Sequence, residues 1–268
     1  MIRKIFAFIK KELLIELSYK LAFIFNFISV IVSILTYFFI DKLFGYRIGP
    51  HLEEFGVNYF AYVLLSMAFF SYVGVGISSF ASRIRSEQID GTLESLLTTP
   101  TRIPVILAGM GLWNLIFATI DVLIYIVLGI FLFKIDFSHV NLSSLFVILT
   151  LTIISFSALG IISASFIIVF KRGNPIAWVI GTFEGLLGGV YFPVTVMPKI
   201  LQLAAQFLPI TYAIRGMQLA VYKGYDLWQL RTEWGALLAF CILLVPLSLS
   251  SFTYALKKAR LQGTLLQY

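Results

Sequence analysis

Ionisable side chains inside long apolar runs are the places where this sequence could do chemistry, and there are two. Asp121 interrupts Ile103–Phe133, and Glu184 interrupts residues 175–196. A charge in hydrocarbon is costly, so such a residue pins helices together, lines a path for a polar solute, or relays protons. A relay needs several groups in series. Two isolated acids favour pinning or path lining. Gly181, Gly185 and Gly189 recur at four-residue spacing beside Glu184. Small residues at that spacing let helix backbones approach closely, which suggests a helix or subunit contact.

Catalytic patterns are missing. No G-x-x-x-x-G-K-[ST] phosphate cradle occurs, so nucleotide binding by that route is not expected. His51 and His139 stand outside any H-E-x-x-H pattern, and no G-x-S-x-G elbow is present. The single Cys241 excludes an intrachain disulfide and a thiolate metal cluster. Serines 143, 144, 155, 157, 163 and 165 have no base beside them, and small hydroxyl residues in a membrane helix serve close packing. The expectation is a chain that is not an enzyme, with no catalytic, cofactor-binding or metal-ligating residue.

The elements that hold these residues follow from composition. Of 268 residues, 60% are hydrophobic and 12% charged, with mean hydropathy +0.96. Soluble domains carry roughly 25% charged residues, and disordered chains have low hydrophobicity. Both classes are excluded. A membrane-spanning helix needs about 20 apolar residues. Six runs qualify: 21–40, 57–81, 103–133, 142–170, 175–196 and 234–256. They are continuous rather than alternating, which excludes a barrel. The first run is too long for a cleavable leader and lacks a small-residue cleavage site. Pro246 is expected to kink the last span. Residues 41–56 read as a loop.

Charge orients the set. With both termini cytoplasmic, the inner segments hold 13 of the 20 Lys and Arg, and the outer segments 7. The net charge of +7 therefore records topology and attraction to anionic headgroups, and nucleic acid is not an expected partner. Residues 1–20 place Ile2, Ile5, Phe6, Ile9, Leu13 and Leu17 on one helical stripe, with Arg3, Lys4, Lys10 and Lys11 off it. This is an amphipathic helix on the cytoplasmic membrane surface.

The most polar internal segment is 82–102. Glu87, Asp90 and Glu94 are spaced to share one face of a short helix, opposite Leu93, Leu96 and Leu97. Gly91 interrupts that helix, and Pro100 and Pro104 end it. Glu87, Gly91, Thr92, Leu93, Glu94, Leu96, Leu97, Thr99 and Pro100 resemble the E-x-x-x-G-T-L-E-x-L-L-x-T-P stretch of ABC-2 type transporter permeases, the membrane subunits of ATP-binding-cassette exporters. Tyr191–Pro198 and Leu208–Arg215 resemble the family's F-P-x-x-x-x-P and P-x-T-Y stretches, with Arg215 falling earlier than the arginine of many members.

The resemblance implies an all-α membrane protein with six transmembrane helices, the N-terminal interface helix, and a coupling helix in 82–102 that docks into a cytoplasmic ABC ATPase. ATP and Mg would bind that partner, not this chain. It further implies outer re-entrant helices in 197–215, broken at Pro193, Pro198 and Pro209, with Arg215 near the outer surface. A second copy of the chain, or a related permease, would enclose a path lined by Tyr37, Tyr62, Phe69, Tyr72 and Glu184. The expected activity is outward movement of a lipid, glycan or drug-like amphiphile across the cell membrane. The rival readings are a secondary transporter or channel, which needs more intramembrane charge, and a membrane-embedded lipid or glycan enzyme.

Overall fold

The computed structural model describes residues 20–89, 91, 103–170 and 175–261. The interface-helix residues Arg3, Lys4, Lys10 and Lys11 lie outside that set, as do Asp90, Thr92, Leu93, Glu94, Leu96 and Leu97.

Every regular element among the described residues is helical. α1 spans Lys20–Ile48, α2 Tyr59–Ile89, α3 Ile103–Phe133 and α4 Leu142–Phe170. α5 is Pro175–Leu187, α6 Lys199–Ala205, α7 Pro209–Tyr222 and α8 Arg231–Leu261. Short 3₁₀ turns cover Gly49–Leu52 and Val194–Val196. The long helices alternate in direction. One end of the bundle gathers 49–58, 134–141 and 188–230 and is the cap end; the other gathers the ends of α2, α3, α4 and α8 and is the loop end.

α3 and α4 coincide with their apolar runs. Three boundaries differ from expectation. Residues 41–48, expected as loop, continue α1, because no proline or left-handed residue stops the helix before Gly49-Pro50. Residues 82–89 extend α2 rather than forming part of a separate loop helix. α8 begins at Arg231 and runs through Pro246, whose carbonyl accepts the Ser250 hydroxyl at 2.7 Å.

Six spans were expected. Among the described residues, five helices are long and apolar enough to cross: 27–52, 59–89, 114–131, 142–170 and 231–259. The run 175–196 yields only the 13-residue α5. At 1.5 Å per residue that is about 20 Å, short of the ~30 Å hydrocarbon core. The helix stops because the chain reverses there: Gly189 adopts φ +87°, a left-handed conformation that suits glycine.

Packing ranks the helices. α2 is central, with 72% of its apolar window buried; for α1 the figure is 11%. Lipid is as apolar as leucine, so helices in a bilayer associate through close fit and polar contacts more than through hydrophobic burial. α2 and α4 cross at Gly76 and Gly160, where a Cβ on Gly160 would collide with the Gly76 carbonyl oxygen. α4 and α8 meet through small polar groups: Ser155 Oγ and Cys241 Sγ lie 3.1 Å apart, and Ser251 donates to Ser165 at 3.1 Å. These serines serve the packing role read from the sequence. A second cluster, including Phe80, Ile84, Ile106, Ile168, Phe252 and Leu256, closes the loop end.

Candidate functional site

Among the described residues, the cap end gathers polar side chains that bond from one element to another. α7 is amphipathic and lies against α2, α4 and α8. Pro209 supplies its first turn, where a missing N–H costs nothing. The next free donor, the Ile210 N–H, goes to Glu184 Oε2 at 3.2 Å. Glu184 is therefore a capping group supplied from another helix, its carboxyl oxygen set at the positive end of the α7 dipole. It is 2% exposed. Of the readings open for it in the sequence, pinning two helices is directly visible.

Further bonds hang the cap from α2. Tyr62 donates to the Gly189 carbonyl at 2.6 Å. Gln218 Nε2 donates to the Tyr62 carbonyl at 2.8 Å and to Ser66 Oγ at 2.7 Å. Tyr222 donates to the Ala61 carbonyl at 2.8 Å. At the far end of α7, the Asn141 N–H donates to the Ala220 carbonyl at 2.9 Å and ties the cap to α4. Tyr62→Phe leaves the buried Gly189 turn without its donor, so a loss of about 1–3 kcal/mol is expected. It would appear as a lowered thermal midpoint of the purified protein in detergent with unchanged helix content.

Arg215 joins three segments. Its Nε and Nη2 donate to Glu54 Oε1 at 3.1 and 2.7 Å, and its Nη1 lies 3.1 Å from Glu233 Oε1. Glu54 follows the 3₁₀ turn after α1, and Glu233 opens α8. Arg215 and Glu54 are half-exposed, but the Glu233 side chain is only 4% exposed. Burial pulls the Arg215 pKa down; the Glu54 hydrogen bond and the two carboxylate charges more than offset this, leaving it above its usual value. The sequence expected Arg215 near the outer surface; its acidic partners were not anticipated. The signal was there: Glu54 and Glu233 are acids in segments assigned to the same side.

A cavity of about 430 Å³ opens over this ion pair, lined by His51, Glu54, Tyr62, Gln202, Tyr212 and Arg215 among others. The prolines break the chain as the sequence implied. Pro193 precedes the 3₁₀ turn, Pro198 caps α6, and Pro209 starts α7.

The remaining candidates separate. Tyr37 stacks on Tyr191 at 5.9 Å. Tyr62, Phe69 and Tyr72 are each under 6% exposed, packed inside this one chain, and Tyr72 donates to Thr119. Only Tyr62 and Glu184 of the five border a cavity described here. Asp121 is half-buried on α3, one turn before buried Tyr125. The glycine ridge does not form as a single helical face. Gly181 has open space, Gly185 lies 3.3 Å from the Phe70 ring by its would-be Cβ, and Gly189 belongs to the turn beyond α5.

At the loop end, Glu87 lies in α2 and is buried, as is Gln88. Gly91 follows with φ +69°, its N–H donating to the Gln88 carbonyl at 3.2 Å. A left-handed residue cannot continue an α-helix. Gly91 thus breaks the helix as expected, and Glu87 belongs to α2.

The family model described as ABC-2 type transporter matches residues 3–222. The inner membrane transport permease YadH of Escherichia coli strain K12 is 26% identical over 216 residues, covering 79% of this chain and 81% of that protein. The permease of the same name in Shigella flexneri gives the same figures.

Proposed function

The chain belongs to the ABC-2 type transporter family, and from that premise we propose that it is the plasma-membrane permease subunit of an ATP-driven exporter. As a family permease it is a multi-pass membrane protein and not itself the catalyst. In this reading a separate cytoplasmic ATPase binds ATP and Mg, and the loop end meets that ATPase through residues 82–102. The residues proposed to dock are Asp90, Gly91, Thr92, Leu93, Glu94, Leu96 and Leu97. A second copy, or a related permease, pairs beside it, and the cargo is a lipid, glycan or drug-like amphiphile moved outward.

The observation that carries this reading is the family match over residues 3–222, which includes the whole of 82–102. The shape of α2 supports it. Its 31 residues span about 46 Å at 1.5 Å each, more than the ~30 Å core. One unbroken rod thus reaches from the cap, which it holds by Tyr62, to the segment proposed to meet the ATPase. Coupling of distant sites needs an element whose arrangement both sites can bias. The low burial of α1 leaves an apolar face for a second copy or for lipid.

The test is co-purification with a candidate cytoplasmic ATPase, followed by ATP hydrolysis in liposomes. Glu94→Arg is expected to lower co-purification and stimulated hydrolysis at least tenfold; intact assembly and coupling would sink the docking assignment. Orientation has its own check. Cys241 is buried, so background labelling is low. Ile89→Cys should react with an impermeant thiol reagent only from the cytoplasm and Ser138→Cys only from outside; the reverse pattern would invert the topology.

A further inference from the structure

Glu184 has a second surrounding besides the start of α7. It borders a cleft of about 350 Å³ between α4, α5, α8 and the turn before α7. Val179, Ile180, Phe183, Phe207 and Leu243 help form the walls. Glu184 is the one polar side chain among all the residues that line the cleft. The rim opens on the outside of the helices: Phe207 is 81% exposed and Phe183 54%.

Capping α7 does not account for this arrangement. A cap needs an oxygen at the Ile210 N–H, which the short neutral side chains favoured at helix starts also supply. A carboxyl can do what those side chains cannot: it stays neutral while the cleft is empty and takes a full negative charge when a cation stands beside it. The Ile210 N–H occupies only Oε2. In an apolar medium the attraction between opposite charges is many times stronger than in water. Phe183, Phe207 and Phe240 add aromatic rings, whose faces attract cations. An apolar pocket with one acid and three phenyl rings selects for an apolar body carrying positive charge.

We propose that this cleft binds a lipophilic cation, with Glu184 as counter-charge and the phenylalanines as walls. The proposal goes beyond the permease reading by naming a ligand class. It is tested without any ATPase, so the two can fail separately: lost binding would leave ATPase docking untouched, and lost docking would leave binding untouched.

The probe is tetraphenylphosphonium, measured by equilibrium dialysis against the purified full chain in neutral detergent. Tetraphenylborate, of the same shape and opposite charge, is the control. The phosphonium is expected to bind saturably and the borate at least tenfold more weakly. Glu184→Gln keeps an oxygen for the Ile210 N–H but removes the charge, and should weaken phosphonium binding at least tenfold. Val179→Trp, at a half-exposed wall, keeps the acid and fills the cleft; it should weaken binding to a similar extent and guards against misfolding of the first variant. Equal uptake of phosphonium and borate would make the cleft a plain acyl-chain groove and overturn the proposal. Unchanged phosphonium binding by either variant would overturn it too.

Discussion

Gly160→Leu is expected to remove the folded protein from the membrane fraction. Any side chain at 160 begins with a Cβ, and that atom would collide with the Gly76 carbonyl oxygen and lie 3.0 Å from the Phe80 ring. The first obstacle is backbone, so no rotamer change relieves it. α2 and α4 would have to separate along the crossing that both use for close contact. From the other side, a Cβ on Gly76 would meet Phe156 Cβ at 2.7 Å, so neither helix can retreat into free space. Overpacking costs about 1–3 kcal/mol and occasionally more; contact with an immovable carbonyl belongs at or above the top of that range. Gly74→Ala is the matched control. It lies two residues from Gly76 in α2, with no atom within 4 Å of its would-be Cβ. It should be neutral or stabilising by up to ~1 kcal/mol through helix propensity. Yield of monodisperse protein and thermal midpoint in detergent measure both. A normally folded Gly160→Leu protein would refute the crossing.

Arg215→Met should be the most damaging substitution at the cap. Glu233 is almost wholly buried and has the Arg215 Nη1 at 3.1 Å. Removing its partner strands a buried charge; because Arg215 itself is 48% exposed, solvent screens the pair and the cost falls below that of a fully buried one, at about 1–3 kcal/mol. The methionine keeps most of the stem's packing, so the loss reports charge rather than volume. Glu54→Gln offers the contrast. That contact is half-exposed on both sides and should contribute only ~0–1 kcal/mol. Adding Glu233→Gln to Arg215→Met should restore much of the lost stability, because the stranded charge is gone. Thermal midpoints of the four proteins decide the matter. Equal losses for Arg215→Met and Glu54→Gln, or no recovery in the double variant, would show that Glu233 is not the costly partner.

What could be read ahead of the structure has a physical boundary. α3 and α4 were legible because their apolar runs are long and bounded by charge, proline or, before α4, the helix-starting Asn141. The prolines at 193, 198 and 209 were legible as breaks because the ring forbids a helix interior whatever surrounds it. The fifth span was misread because hydropathy measures polarity and not direction. Residues 188–196 are apolar enough to continue a helix, yet Gly188, Gly189 and Pro193 turn the chain back. The α1 extension was missed for the converse reason: residues 41–48 are polar enough to suggest loop but contain nothing that stops a helix.

At the candidate site, Glu184 and Arg215 stood out as ionisable groups in unusual places. Their partners did not, since Ile210 is 26 residues from Glu184 and Glu54 is 161 from Arg215. The Gly76–Gly160 crossing was equally hidden. Each glycine is unremarkable alone, and only their meeting across two helices gives them meaning.

The sparse burial of α1 has a consequence for how the protein senses its surroundings. A helix of 29 residues is about 43 Å long, well beyond a ~30 Å core. Mismatch of that kind is relieved by tilting, at a fraction of a kcal/mol per ångström. α2 cannot tilt freely, because neighbours cover it. α1 touches the bundle through few buried side chains, Val30 and Ile34 among them. Changes in bilayer thickness therefore fall first on α1, whose angle the surrounding lipids set together with the protein. Since α1 leads into Glu54 through a single 3₁₀ turn, a change in the tilt of α1 is expected to reach the Arg215 contact first.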